Sequence, residues 1–304
     1  MAAPALTTPS RNAALIERSQ EVKGRSLWQD ARRRLFANRA AVVSMVILGI
    51  ITAMAVFADF LSPHTHFDID YDRIAIAPTF EQAHWFGTDA NGRDLFIRTL
   101  YGARVSLAVG VVATFVSLVI GVLYGAAAGY FGGRIDGVMM RFVDVLYSLP
   151  FIFFVIILMV VFNRNFILMF VAIGAVEWLT MARIVRGQTL SIRRKEFIEA
   201  ANAAGVSTFS IIRNHIIPNV VGPVIVYVTL TIPAVILAES FLSFLGLGVQ
   251  EPLTSWGVLI ADGANEMETK PWMLIFPATF MAVTLFCFNF IGDGLRDALD
   301  PKDR

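Results

Sequence analysis

Hydrophobic positions in this chain come in long runs rather than at helical or alternating spacing. Residues 40–58, 105–133, 145–163 and 271–292 hold no Asp, Glu, Lys or Arg, and are 19, 29, 19 and 22 residues long. The stretch 165–179 is interrupted only by Glu177, and 214–250 only by Glu239. A helix that crosses a bilayer needs about 20 predominantly apolar residues. The pattern therefore predicts six spans near 40–61, 104–131, 140–162, 165–183, 220–246 and 272–292.

Composition agrees. Of 304 residues 56% are hydrophobic and 16% charged, against roughly 25% charged in soluble domains, and mean hydropathy is +0.65. Cys287 is the only cysteine, which excludes a disulfide scaffold within the chain. A net charge of +1 leaves no large basic footprint for nucleic acid. The first 39 residues carry no long apolar core, so no cleaved signal peptide is expected.

Basic residues orient the spans. With the amino terminus in the cytoplasm, six spans return the carboxyl terminus there too. The inner segments then hold 19 of the 25 Lys/Arg, eight of them in the amino-terminal tail. The outer ones hold Arg73, Arg93, Arg98, Arg104, Arg164 and Lys270. This is the positive-inside bias. The expected organisation is a cytoplasmic tail (1–39), a first span (40–61), an outer loop (62–103), a five-helix core (104–292) with an inner loop at 184–219, and a cytoplasmic tail (293–304).

The inner loop is the richest segment. Residues 192–204 (IRRKEFIEAANAA) favour a helix and contain neither Pro nor Gly. Gly205 stands where a left-handed helix-ending residue is wanted. Ser207 can cap a second helix, with Val206 and Ile211 as its hydrophobic staple, and Pro218 is expected to end it. Phe197, Ala201 and Ala204 share one stripe of the first helix. Two readings stay open: an amphipathic helix on lipid headgroups, or a docking element on which a row of alanines admits another surface.

Glu199-Ala200-Ala201-x3-Gly205, then after nine residues His215-Ile216-Ile217-Pro218, resembles the EAA loop of ABC importer permeases. Ile217 stands where that family has Leu, and His215 where it has Ile. Further segments resemble the peptide/nickel branch: Phe86-Gly87-Thr88-Asp89-x2-Gly92-Arg93-Asp94, Tyr101-Gly102-Ala103-Arg104, Tyr147-Ser148-Leu149-Pro150, Ala182-Arg183-x2-Arg186-Gly187 and the run from Glu239 to Gly248. The carboxyl end from Phe288 to Arg304 is most like that of C subunits of oligopeptide permeases. The resemblance implies a type I ABC importer permease fold, all-α, with a cytoplasmic coupling helix, in a bacterial inner membrane. It implies a homologous permease partner, two cytoplasmic ATPase subunits and an extracytoplasmic peptide-binding protein. ATP and Mg would sit on the ATPase partners. Arg194, Lys195, Glu196, Phe197, Ile198, Glu199, Ala200, Ala201, Gly205 and Pro218 form the expected ATPase-docking loop. Dipeptides and nickel chelates use similar permeases and stay open as substrates.

The residues independently point to an outside motor. A phosphate-binding loop needs Gly-Lys-[Ser/Thr], and Lys23, Lys195, Lys270 and Lys302 all follow residues other than glycine. This chain is therefore expected not to be an enzyme and to bind no cofactor. An ion-coupled secondary transporter would show paired broken helices with coupling carboxylates, and an intramembrane enzyme a nucleophile or zinc motif. Neither pattern is present. His64, His66, His84 and His215 show no metal-ligand spacing, so no metal is expected.

Within the spans, Ser117, Gly121, Gly125 and Gly129 recur every four residues, which suits close helix approach, either inside the subunit or against the partner permease. Pro233 and Pro277 are expected to bend their helices. Glu239 is an ionisable group at membrane depth, a functional hypothesis by default. With Ser240 and Asn289 it marks a candidate substrate path, the competing reading being a structural, hydrogen-bonded group. Glu177 reads as structural, near the cytoplasmic interface.

Overall fold

The computed structural model describes residues 27–161 and 166–300. Most of the expected tail 1–39, the end of the expected third span, the start of the fourth, and residues 301–304 lie outside the described residues. The described chain is helical throughout, apart from an isolated Thr88–Asp94 bridge and its loops.

An amphipathic helix α1 (Leu27–Ala37) leads through Asn38 into α2 (Arg39–Val56). The Asn38 side chain accepts from the Ala41 amide at 3.2 Å and so caps α2. A single turn α3 (Ala58–Leu61) precedes the outer segment. The long helix α4 (Leu95–Phe131) follows, capped by Asp94, whose carboxylate accepts from the Ile97 amide at 2.9 Å. Its 37 residues reach roughly 55 Å. It begins nine residues before the expected span, because this cap starts the helix where the hydropathy does not yet rise.

The expected third span is divided. Helix α5 (Gly133–Ser148) and helix α6 (Phe151–Val161) are separated at Leu149–Pro150, where proline disfavours helical geometry in the residue before it. Helix α7 (Phe166–Ile192) covers the expected fourth span. After the inner-loop helices α8 (Glu196–Ala203) and α9 (Thr208–Ile211) come α10 (Ile217–Phe244), α11 (Trp256–Asn265) and α12 (Trp272–Leu299). Pro233 lies inside α10 and Pro277 inside α12. Among the described residues, four stretches are long and apolar enough to cross a membrane: Arg39–Val56, Leu95–Phe131, Thr208–Phe244 and Trp272–Leu299.

The broadest packing joins α4 to α7. The small-residue stripe makes it possible, and so lies inside the subunit. A Cβ at Gly121 would fall 2.5 Å from the Met181 Cβ, one at Gly125 2.4 Å from the Ala182 carbonyl oxygen, and one at Gly129 2.7 Å from the Thr189 Cβ. Polar ties reinforce this layer. Arg186 grips Asp136 of α5 through two hydrogen bonds, and the Tyr124 hydroxyl donates to the Met139 carbonyl at 2.9 Å. On the opposite side of α4, Val111, Phe115, Val119 and Leu123 are exposed, an apolar face suited to lipid or another subunit.

Candidate functional site

The inner loop folds as two helices around a glycine turn. Helix α8 is shorter than the expected 192–204, since α7 runs on to Ile192 and residues 193–195 turn the chain. Glu196 and Glu199 occupy its first turn, where acidic groups meet the positive end of the helix dipole. Its end is a Schellman closure: the Val206 amide donates to the Ala201 carbonyl at 3.1 Å and the Gly205 amide to that of Asn202 at 3.0 Å. Gly205 has φ +74 and open space around it, so only conformation restricts this position. The Ser207 hydroxyl then accepts from the Ser210 amide at 3.4 Å, capping α9. Val206 and Ile211 join one apolar cluster, as the staple requires.

Two expectations change here. Pro218 does not end a helix. Chain 208–244 runs as one helical stretch through a π turn at Ile212–Ile216, and Pro218 sits in the first turn of α10. The Ile217 amide reaches back five residues to the Ile212 carbonyl. The widened π register just before Pro218 is where the helix absorbs the missing proline donor. The second change concerns the alanine stripe. Ala201 is buried beside Ile198, while Phe197 and Ala204 are exposed.

Ile198 and Ala201 enter a cluster with Ala126 of α4, Met181 and Val185 of α7, and Val220 of α10. The Tyr130 hydroxyl donates to Asn202 at 3.1 Å. The opposite face presents Glu196, Glu199 and Ala200, with Arg194 and Lys195 in the preceding turn and Phe209 of α9 71% exposed. Helix α8 thus buries Ile198 and Ala201 in that cluster on one side and exposes Glu196, Glu199 and Ala200 on the other.

The expected substrate-path residues are not brought together around an opening. Glu239 is fully enclosed. Its carboxylate accepts from the Ser243 and Ser255 hydroxyls at 2.7 Å each and from Ser106 at 3.3 Å. The Ser106 hydroxyl in turn accepts from the Trp256 amide at 3.2 Å. Glu239 therefore pins α4, α10 and α11 together. Ser240 donates to the Met281 sulfur at 3.3 Å, and exposed Asn289 to its own helix at Leu285.

Glu177, read from sequence as structural, lines a cavity of about 410 Å³ with Tyr147, Leu149, Pro150 and Thr180. The helix-breaking Leu149-Pro150 pair was the signal that an opening would form there.

The outer segment is also ordered by charge. Asp89 bridges Arg93 at 2.8 Å and Arg98 at 3.4 Å, and Arg93 reaches Glu251 at 2.8 Å. Burial alone would lower the Arg93 pKa, but hydrogen bonds and charge from Glu251 and Asp89 outweigh it and hold it above the usual value. His84 Nδ1 pairs with the Asp94 cap at 2.9 Å, and its ring stacks on His64. The fold gathers these three side chains, whose ligand atoms lie within 4.8 Å of one another, although their spacing in the chain gave no hint of it. His64 Nε2 meets the Gln82 carbonyl at 2.7 Å. The site thus has a hydrogen-bonded scaffold within the loop itself.

Helices with a fastened inner-loop helix, buried polar pins and apolar outer faces define a multi-pass membrane protein. Residues 117–304 match the family model described as binding-protein-dependent transport system inner membrane component, and 26–78 match the N-terminal TM domain of oligopeptide transport permease C. The chain belongs to the first of these families, whose membership in general implies a partner permease, ATPase subunits and a binding protein. It is 56% identical over 300 residues to the oligopeptide transport system permease protein OppC of Haemophilus influenzae, covering 97% of this chain and 96% of that one. It is 61% identical to OppC of Escherichia coli strain K12, with 93% and 94% covered. The dipeptide transport system permease protein DppC of Bacillus subtilis is 50% identical, with 92% and 87% covered. A solved inward-facing structure of the MetNI methionine ABC transporter superposes with a TM-score of 0.54 at 20% identity, covering 66% of this chain and 96% of that chain. That likeness shows the fold alone.

Proposed function

We propose that this chain is the C-type permease subunit of an ATP-driven oligopeptide importer in a bacterial inner membrane. In this reading six spans place both termini in the cytoplasm. A homologous permease completes the path, a peptide-binding protein delivers from outside, and two ATPase subunits, holding ATP and Mg, drive the cycle from inside. Identities of 56% and 61% to curated oligopeptide permeases support the substrate class. The 50% identity to a dipeptide permease supports dipeptides as the second reading.

The observation that carries the coupling role is the two-faced construction of α8. Ile198 and Ala201 seat it in an apolar cluster shared with residues of α4, α7 and α10, while Glu196, Glu199 and Ala200 are exposed. A motor shifts a conformational equilibrium only through its differential affinity for the two states. An α8 seated in that cluster would transmit such a difference to the path.

Gly205→Val tests this. A β-branched residue at φ +74 costs roughly 1–2 kcal/mol and tilts α8 against α9. Peptide uptake by the reconstituted importer should be lost, while the amount of membrane-inserted subunit stays at the wild-type level. Uptake at the wild-type rate would remove α8 from the coupling path.

A further inference from the structure

Resting on the peptide-permease reading, we infer that Glu177, Tyr147 and Thr180 form a subsite for an alkylammonium group at the break between α5 and α6. The cavity of about 410 Å³ is walled by Leu146, Tyr147, Leu149 and Pro150 on one side and by Glu177 and Thr180 of α7 on the other. That volume lies in the range that accepts a small ligand.

Three observations select a cation as its occupant. Among the described residues Glu177 makes no hydrogen bond and no ion pair, although it is half-buried. Neighbouring acids are matched: Asp136 with Arg186, Asp144 with Arg183, and Glu239 with three serines. An unmatched carboxylate inside an apolar run is costly and is a functional hypothesis by default. Second, α5 ends at Ser148, and a helix carboxyl end carries partial negative charge. Leu146 and Tyr147 bring that end to the same cavity. Third, the neighbouring cation Arg183 is already engaged. Its guanidinium lies over the Tyr147 ring at 4.3 Å and pairs with Asp144 at 2.8 Å, so it forms no ion pair with Glu177.

A primary ammonium offers three donors, and this cavity offers a carboxylate, a helix end and the Thr180 oxygen, which Tyr227 also engages. Every free peptide carries such a group at its amino terminus, and a lysyl side chain carries a second. The subsite would hold either during passage, a role the sequence had suggested for Glu239.

The test uses the complete importer in proteoliposomes with Thr180→Cys, the wild-type importer serving as background for native thiols. Labelling rates are compared for a trimethylammonium-ethyl and a sulfonatoethyl methanethiosulfonate. Glu177→Gln should cut the cation-to-anion rate ratio about tenfold, and Glu177→Asp should retain it. An unchanged ratio in Glu177→Gln, or no labelling in any nucleotide state, overturns the subsite. Uptake of Ala-Ala-Ala and Ala-Lys-Ala then identifies the source. A similar slowing of both by Glu177→Gln assigns the amino terminus, and selective slowing of Ala-Lys-Ala assigns the lysyl group. No slowing of either overturns the inference. Failure of the wild-type importer to take up either peptide would instead refute the peptide-permease reading, and the labelling ratio reads out separately.

Discussion

Glu239 and Glu177 are both single acids inside apolar sequence, yet their surroundings are opposite. Three serine hydroxyls from three parts of the chain close over Glu239, and no part of it is exposed. Glu177 faces a cavity with no hydrogen bond or ion pair among the described residues. The difference separates two uses of a costly group. A satisfied buried acceptor fixes how helices meet, whereas an unsatisfied one waits for something that comes and goes.

The sharpest way to break this comparison is to remove each acid. Glu239→Ala leaves three buried hydroxyls without their acceptor, at about 1–3 kcal/mol for each unsatisfied group. It should lower the melting temperature of the detergent-solubilised subunit strongly and reduce the yield of folded protein. Glu177→Ala should melt with the wild type. Equal losses for both would erase the distinction.

A smaller effect is expected from Gly125→Leu, since a side chain there meets the Ala182 carbonyl and Val185. Overpacking costs typically 1–3 kcal/mol. It displaces α7, which carries Glu177 and not Glu239. Labelling at Thr180→Cys should therefore change while the Glu239 cluster persists, as judged by unaltered protection of the Trp256 amide from hydrogen exchange. Loss of that protection would mean the two regions are not separable.

Smaller again is Ser255→Ala. It removes one of the donors on Glu239 and the side-chain cap that accepts from the Val258 amide at 3.2 Å, so about 1 kcal/mol of stability should go. Thr180→Val, beside Glu177, should cost less than that. A reversed order in thermal melting would put the structural pin at the wrong acid.

The four long apolar helices and the inner-loop turn were legible because their causes are local. Charge-free runs long enough to cross a bilayer need no partner to be recognised, and Gly205 and Ser207 act on their own turn. Pro218 was misread for the same reason: a proline seen alone stops a helix, but a π turn just upstream lets this one pass. The Leu149-Pro150 pair was visible, yet the hydropathy of 145–163 carried the expected span straight across it.

The sequence alone determined that this chain lives in a membrane, where its apolar segments lie, and that a glycine-hinged helix pair occupies the 184–219 loop. These follow from solvation and backbone conformation, which each residue carries with it. Only the tertiary structure decided that the glycine stripe faces α7, that Ala201 is an anchor, and which of two acids is enclosed. A carboxylate's role depends on groups more than a dozen residues away in sequence. Nothing along the chain tells Glu239 of Ser106 and Ser255, or tells Glu177 that its place beside a broken helix is open.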